Sequence, residues 1–448
     1  MIYLVSNQTS LFDEEFIRIP LQEAIDMMWS WNRIQTDTET TGRDCHINDI
    51  LCIQLGNDKA DARIIIDATT VDIHCLKNLL ESKLLILQNG KFDLKFLYNY
   101  GIYPTFIYDT MIVEQLLHLG WGNAISYSLA NISLRRLGID IDKTVRGEII
   151  WRGLDSSVIK YAAGDVTYLE KILESQVIDL NKQGLVKAAL LENAFVPVIA
   201  YLEWCGIKLD ETKWKAKMTE DEKNLTEREQ ALNDFIIECS EKGYETSTFR
   251  LSSSRFQKYI YINRQGDLFS GYDLSTKVNI KWSSPPQVIE IAKLLGFDTK
   301  VQDKETKEDK DTVIEKHLKK QKGICDKFLK LYFDYQEARK RCTTYGQAYL
   351  NAINPNTGRI HTEFRQLGTD SGRLACGSKQ VNTDLAKLKG LPIRKQQDTK
   401  KHCGYPQLQN LPADEVTRAS FVSEEGNNFC SCDWSAKLKY SHYLSYFI

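Results

Sequence analysis

The spacing of apolar positions in this chain predicts short strands and amphipathic helices in alternation over residues 31 to about 180. "ILCIQLGN" and "ARIIIDA" are β-rich runs separated by turn residues, and "LLILQN" reads as a third, buried strand. "VDIHCLKNLLES" has helical spacing, and "KFDLKFLYNYG" reads as a helix closed by Gly101. Early strands followed by alternating helix and strand predict a mixed sheet covered by helices, an α/β fold.

Beyond residue 184 the pattern turns helical. Residues 185–204 form an apolar helix containing Pro197, which is expected to kink it. The next helix carries a thin stripe of Trp214, Met218, Leu225, Leu232, Phe235 and Ile236, which suits an antiparallel helical arm better than a globular core. "SSPPQVIEIAKLLG" predicts a compact helix with Pro285 in its first turn and Gly296 past its end. The mixed-charge run after it reads as a solvated loop and helix face. Residues 324–352 are helical, and "NPNTGRIHTEF" supplies a turn and a strand.

The chain has 448 residues, a size that suggests two to four domains. A 42% hydrophobic content supports ordinary cores, and a net charge of −2 neither announces nor excludes a nucleic-acid partner. Eleven cysteines are scattered and form no paired CxxC array, which fits a reducing compartment. Zinc held by His402, Cys403, Cys430 and Cys432 is conceivable, but free thiols are the simpler reading. No signal peptide opens the chain, and no run approaches the ~18 apolar residues of a membrane span, so a cytoplasmic, non-membrane protein is expected.

Three acidic clusters carry the chemistry. In "TDTETTG", Asp37 and Glu39 are two apart and share one face of a strand. Alone this is weak, because 60 acidic residues in 448 positions give about eight such triplets by chance. In "LQNGKFDLKFL", Asn89 can cap the helix and Asp93 sits in its first turn among apolar neighbours. In "VIKYAAGDVTYLEKIL", Tyr161 and Asp165 lie one helical turn apart. Four carboxylates packed together repel one another unless divalent cations intervene, and oxygen-only ligands select Mg²⁺ or Mn²⁺. Two such ions can activate a water and stabilise the leaving oxygen of a phosphodiester.

The ordered series DTE, NxxxD, YxxxD resembles the DEDD family of 3′–5′ exonucleases, in the tyrosine-containing subclass found in family A DNA polymerases. The resemblance covers residues 31 to about 180 and implies an RNase H-like fold. It implies that Asp37, Glu39, Asp93 and Asp165 bind two metals, that Tyr161 positions the water, and that Asn89 lies beside the site. The residue after DTETTG, often an apolar wedge against the terminal base in the family, is Arg43.

The second half resembles the polymerase part of the same family. "LENAFVPVIAYLEWCGIKLD" looks like the exonuclease–thumb junction, and "RKRCTTYGQAYLNAINPNTGRIHTEFRQLGTDSGRLACG" looks like the start of the palm. "PQLQNLP" and "TRASF" follow in the expected order. The resemblance makes Arg373 a primer-template contact, places Gln409 and Asn410 near the minor groove, and makes Asp433 the first metal-binding aspartate of a polymerase site. Residues 377–405 form a longer, basic segment than in many relatives, either adding phosphate contacts or merely solvated. The family's Glu and Arg after this aspartate are not found in "KLKYSHYLSYFI", so the resemblance ends at about Ala436.

The expected organisation is an extension over 1–30, an exonuclease domain over 31–184, a thumb-like helical region over 185–340, and an incomplete α+β palm over 341–448. The expected function is hydrolysis of DNA from single-stranded or frayed 3′ ends in replication or repair, in a bacterial or phage-infected cytoplasm. Primer extension is expected only if a second polypeptide supplies the missing fingers and palm. The alternatives are a stand-alone exonuclease acting on RNA and a non-catalytic remnant that clamps primer-template DNA.

Overall fold

The computed structural model describes residues 1–8, 16–121, 125–141, 154–245, 250–267, 271–302, 307–321, 323–391 and 403–429. They fall into two compact units, Met1–Asp210 with Ala348–Ile448, and Glu211–Gln347.

The first unit is built on a seven-stranded mixed sheet. Its strands are β1 (Ile2–Val5), β2 (Ile17–Arg18), β3 (Arg33–Thr40), β4 (Ile50–Asn57), β5 (Arg63–Asp67), β6 (Leu84–Leu87) and β7 (Ile107–Asp109), in the order β2-β1-β5-β4-β3-β6-β7. β3, β4 and β5 pair antiparallel, while β6 and β7 add in parallel beside β3. Residues 1–30 are therefore no extension. β1 pairs with β5 along its whole length, and α1 (Leu21–Trp29) buries Ala24 and Met28 in the sheet's core. The central strands are near-continuous apolar runs because both faces are covered, as parallel and mixed sheets require.

Among the described residues, seven further helices complete this covering: α2 (Lys77–Ser82), α3 (Lys91–Tyr98), α4 (Thr110–Leu117), α5 (Leu129–Leu137), α6 (Ser156–Asp165), α7 (Leu169–Gln183) and α8 (Val186–Cys205). α8 runs through Pro197 and belongs to this unit, where Val196 and Ala200 join the main core. The unit boundary thus falls after Asp210 rather than at 185, because the buried face of α8 packs on α3, α4 and β7. By length and composition alone α8 is apolar enough to cross a membrane, a test that buried core helices also pass. It nevertheless buries Asn193 and Glu203 against polar partners. A small sheet follows, in which β8 (Ile207–Leu209) lies between strands Arg359–Ile360 and Phe421–Val422 of the palm-like segment.

The second unit has a globular core, not the bare helical arm expected from its thin stripe. Leu232, Phe235 and Ile236 of helix Glu211–Lys242 pack with Trp282, Val288, Ile291 and Phe328. The stripe looks thin because this long helix buries mainly its C-terminal half there, while most of its remaining surface is polar. Helix Pro285–Leu294 starts after Ser284 with proline in its first turn, as its sequence predicts.

Candidate active site

β3 lies near the middle of the sheet, paired with β4 on one side and β6 on the other. Alternation puts Asp37 and Glu39 on one face of its C-terminal half and the buried Thr36 and Thr38 on the other. The register shifts between Glu39 and Thr40, and the strand ends at Thr40, just past the second acid.

Asp165 is the last residue of α6. Asp155 caps this helix by accepting from Val158 N at 2.8 Å, and Ile159, Ala162 and Ala163 pack on Cys52 of β4 and Ile65 of β5. The C-terminal end of the helix approaches the sheet closely because position 56 is glycine. A Cβ on Gly56 would stand 2.5 Å from the carbonyl oxygen of Val166. The outcome is that carboxylate oxygens of Asp37, Glu39 and Asp165 all lie within 4.8 Å of one another. Three carboxylates at that spacing suit a divalent cation, whose charge relieves their mutual repulsion.

Asp93 lines the same cavity but is held differently. It is buried in the first turn of α3 and accepts from Thr38 Oγ1 at 2.6 Å. Burial pushes its carboxyl up to about 7, against the opposing effect of the Thr38 bond. Tyr161 is half-buried one turn before Asp165 on α6.

Asn89 does not cap α3. It adopts a left-handed conformation (φ 61°), and the cap position passes to Gly90 with no side-chain bond. The acceptor there is Asp109, at the end of β7. Its carboxylate takes N–H groups from Asn89 at 3.1 Å, Gly90 at 2.8 Å, Met111 at 2.9 Å and Ile112 at 3.2 Å. One buried acid thus ties the loop carrying Asn89 to the start of α4. Sequence reasoning missed it, although an Asp just ahead of "TMIVEQLL" is an N-cap signal.

A cavity of about 1100 Å³ opens over these acids. Its opposite wall is formed by Glu363–Asp370 and Tyr405 of the palm-like segment, with the exposed Arg365 among them. That wall is anchored by Glu203. Its buried carboxylate accepts from Lys91 at 2.8 Å, Lys95 at 2.7 Å and Phe364 N at 2.6 Å. Burial opposes its ionisation, but the Lys95 and Lys91 ammoniums outweigh that and hold its carboxyl below the usual range. No local pattern hints at this junction, because its partners are over a hundred positions apart.

The palm-like residues are gathered beside that wall. Arg373 is exposed in a turn closed by Gly368 N donating to its carbonyl at 3.1 Å. Gln409 reaches the neighbouring Leu374 carbonyl at 3.2 Å, and Asn410 follows it, exposed. Asp433 lies outside the described residues, as do His402, Cys430 and Cys432 of the conceivable zinc set. Cys403 is buried and donates to the carbonyl of Asn351 at 2.9 Å. Within the basic segment, Lys389 is half-buried and donates to the carbonyls of Leu350 at 3.0 Å and Asn351 at 2.9 Å.

Comparison with known proteins matches two segments of the chain to families. The 3′-5′ exonuclease family matches residues 18–176, and DNA polymerase family A matches residues 270–437. DNA polymerase I of Aquifex aeolicus is 27% identical over 436 residues, covering 93% of this chain and 60% of that protein. Ribonuclease D of Sphingobium indicum is 32% identical over 156 residues, 34% of this chain and 39% of that protein. The solved POL domain of Pol1 from M. smegmatis, in complex with DNA primer-template and dNTP, shares the fold with a TM-score of 0.61 at 16% identity. That likeness covers 91% of this chain and 58% of the Pol1 chain. The chain thus spans about three fifths of the length of its Aquifex relative. It belongs to the family A DNA polymerases and carries their 3′–5′ exonuclease domain.

Proposed function

We propose that this chain is a two-metal 3′–5′ exonuclease that removes nucleotides from the 3′ ends of DNA. The observation that carries the reading is the convergence within 4.8 Å of Asp37 and Glu39, from strand β3, with Asp165, from the end of helix α6. Asp93 lines the same cavity, so the donor set is four carboxylates, which fits Mg²⁺ or Mn²⁺. When bound, such ions supply positive charge to the phosphate oxygens and a lowered pKa for the attacking water.

The chain's own residues do the rest. The Tyr161 hydroxyl orients the water, and Asp37, Glu39, Asp93 and Asp165 fix where charge is neutralised. Water adds to phosphorus as the bond to the 3′ oxygen of the preceding nucleotide breaks. A nucleoside 5′-monophosphate leaves, and the shortened strand keeps a 3′ hydroxyl. Asn89 and Arg43, both between Glu39 and Asp93 in sequence, contribute cavity wall to the strand end. Arg373, Gln409 and Asn410 form a second DNA contact, to primer-template. The exonuclease step makes no use of Asp433.

The experiment is digestion of a single-stranded DNA oligonucleotide with Mg²⁺, with products separated by chromatography. Release of nucleoside 5′-monophosphates by the wild type, and none by Asp165→Asn, is expected. The match to a ribonuclease D over the exonuclease segment favours RNA as a second reading. Parallel digestion of sequence-matched DNA and RNA separates the two, and faster turnover of RNA would replace the substrate assignment.

A further inference from the structure

The loop between β3 and β4, residues 41–49, carries part of the cavity wall, since Gly42 and Arg43 line it immediately after the acidic strand. This loop is held from outside the sheet. Asp384 lies in the short helix Thr383–Leu388, inside the long segment that sequence comparison could assign to phosphate contact or to solvent. Its Oδ2 accepts from the backbone N–H of Arg43 at 2.7 Å, from that of Asp44 at 3.1 Å and from Asn48 Nδ2 at 3.1 Å. Asn382, which caps the same helix, donates to Asp44 Oδ2 at 2.8 Å. Leu385, Ala386 and Cys403 are buried with Ile47 beneath them, so the helix is fixed to the loop by apolar packing as well. Asn48 fills the space over Gly42, where a Cβ would stand 2.4 Å from its Oδ1. The loop therefore has one packed arrangement, and Asp384 is the group that binds both of its amides beside Arg43.

The geometry points to Asp384 as a positioning residue for the exonuclease: it sets the conformation of the 41–48 loop and thereby where Arg43 meets the strand end. This rests on the exonuclease reading above. Backbone amides aimed at a carboxylate form charge-assisted hydrogen bonds, which hold geometry more firmly than neutral ones. Loss of that hold leaves the acids of β3 and α6 in place and disorders only the wall that receives the nucleotide. The consequence is weaker substrate capture with unchanged chemistry, a KM effect rather than a kcat effect.

The test is steady-state cleavage of a 3′-labelled single-stranded oligonucleotide by the full chain as wild type, Asp384→Ala, Asp384→Ser and Asp384→Asn. Hydrogen exchange at the amides of residues 43 and 44 is measured alongside. Asp384→Ala and Asp384→Ser are expected to raise KM about tenfold with kcat within about twofold, and to lose protection at both amides. Asp384→Asn keeps an acceptor oxygen and is expected to restore most of the wild-type KM. An active wild type with unchanged KM in both the Ala and Ser variants overturns the assignment and leaves the exonuclease reading intact. So does a loss of kcat that tracks lowered melting temperature at constant KM, the mark of a merely structural residue. An inert wild type overturns both. If Asp384→Ala does not fold, Asp384→Ser and Asp384→Asn decide the matter by the same KM comparison.

Discussion

Thr38 Oγ1 donates to Asp93 Oδ1 at 2.6 Å, tying the strand that carries Asp37 and Glu39 to the first turn of α3. The bond joins residues 55 positions apart, and it is the one side-chain partner that counters the burial of Asp93 most strongly. The folded carboxyl sits at about 7 against an ordinary value of 3.8, so the folded state binds this proton more tightly than the unfolded chain does. Its contribution to stability is complete below pH ~4 and is lost as pH rises through about 7. Asp93→Asn removes that titration. We expect the variant to melt a few degrees above wild type at pH 8 without metal, and to match it near pH 4. Scanning calorimetry at the two pH values checks this. Cleavage by the variant should fall at least ~100-fold, since one donor of the metal set is gone.

Metal binding should be visible without turnover. An ion that binds only the folded chain stabilises it by about 2.7 kcal/mol at a hundredfold excess over its dissociation constant. Mn²⁺ and Mg²⁺ are therefore expected to raise the melting temperature of the wild type by several degrees and that of Asp37→Ala far less. An equal shift in both proteins would place the ion elsewhere.

Gly56 is predicted to matter although it bears no functional group. Its missing Cβ makes room for the Val166 carbonyl next to Asp165. Gly56→Ala forces backbone apart, a change of the kind that costs about 1–3 kcal/mol. It should also lower kcat by moving Asp165 away from Asp37 and Glu39. Thermal melting and cleavage rate together test this, and a fully active Gly56→Ala protein would contradict it.

The loop–palm junction predicts acid sensitivity. His46 and His361 stack with centroids 3.8 Å apart, between the 41–49 loop and the palm-like strand. Burial, reinforced by His361 and Lys95, lowers His46 to about 3 from 6.5. A histidine lowered in this way contributes stability that is present above pH 6.5 and is lost as pH falls toward 3. Asp44 also faces the pair, and the Glu203 backbone carbonyl accepts from His361 Nδ1 at 2.9 Å. His46→Phe keeps a packed ring without the titration. We expect it to retain more of its neutral-pH stability at pH 5 than wild type does, by denaturant titration at both pH values.

Much of the exonuclease sheet was legible in the sequence because its strands are short apolar runs and its helices amphipathic. "ILCIQLGN" is strand 50–57 as read, and Asp37 and Glu39 share a face because a strand's period is two. The acids of β3 and α6 could be grouped only through the ordered motifs, since nothing in local spacing says that residue 165 returns to residue 37. Glu203 and Asp384 were missed because each acts on backbone or lysine groups far away in sequence, and a lone acid carries no periodic signal; Asp109 carried a local N-cap signal, and only its reach back to Asn89 and Gly90 had none. Residues 1–30 were set apart because β1 and β2 are short, and their place in the sheet depends on pairing with β5. The long polar helix 211–242 looked like an arm because its core is completed by aromatic residues from about fifty to a hundred positions downstream, Trp282 and Phe328 among them.

The central claim is tested most directly by a time course on one single-stranded DNA oligonucleotide, labelled at its 5′ end and incubated with the purified chain and Mg²⁺. A ladder shortening one nucleotide at a time from the 3′ end, abolished by EDTA and by Asp37→Ala in a protein that still folds, is the predicted result. An oligonucleotide left at full length by the wild type, or a ladder that persists unchanged in Asp37→Ala, would contradict the account.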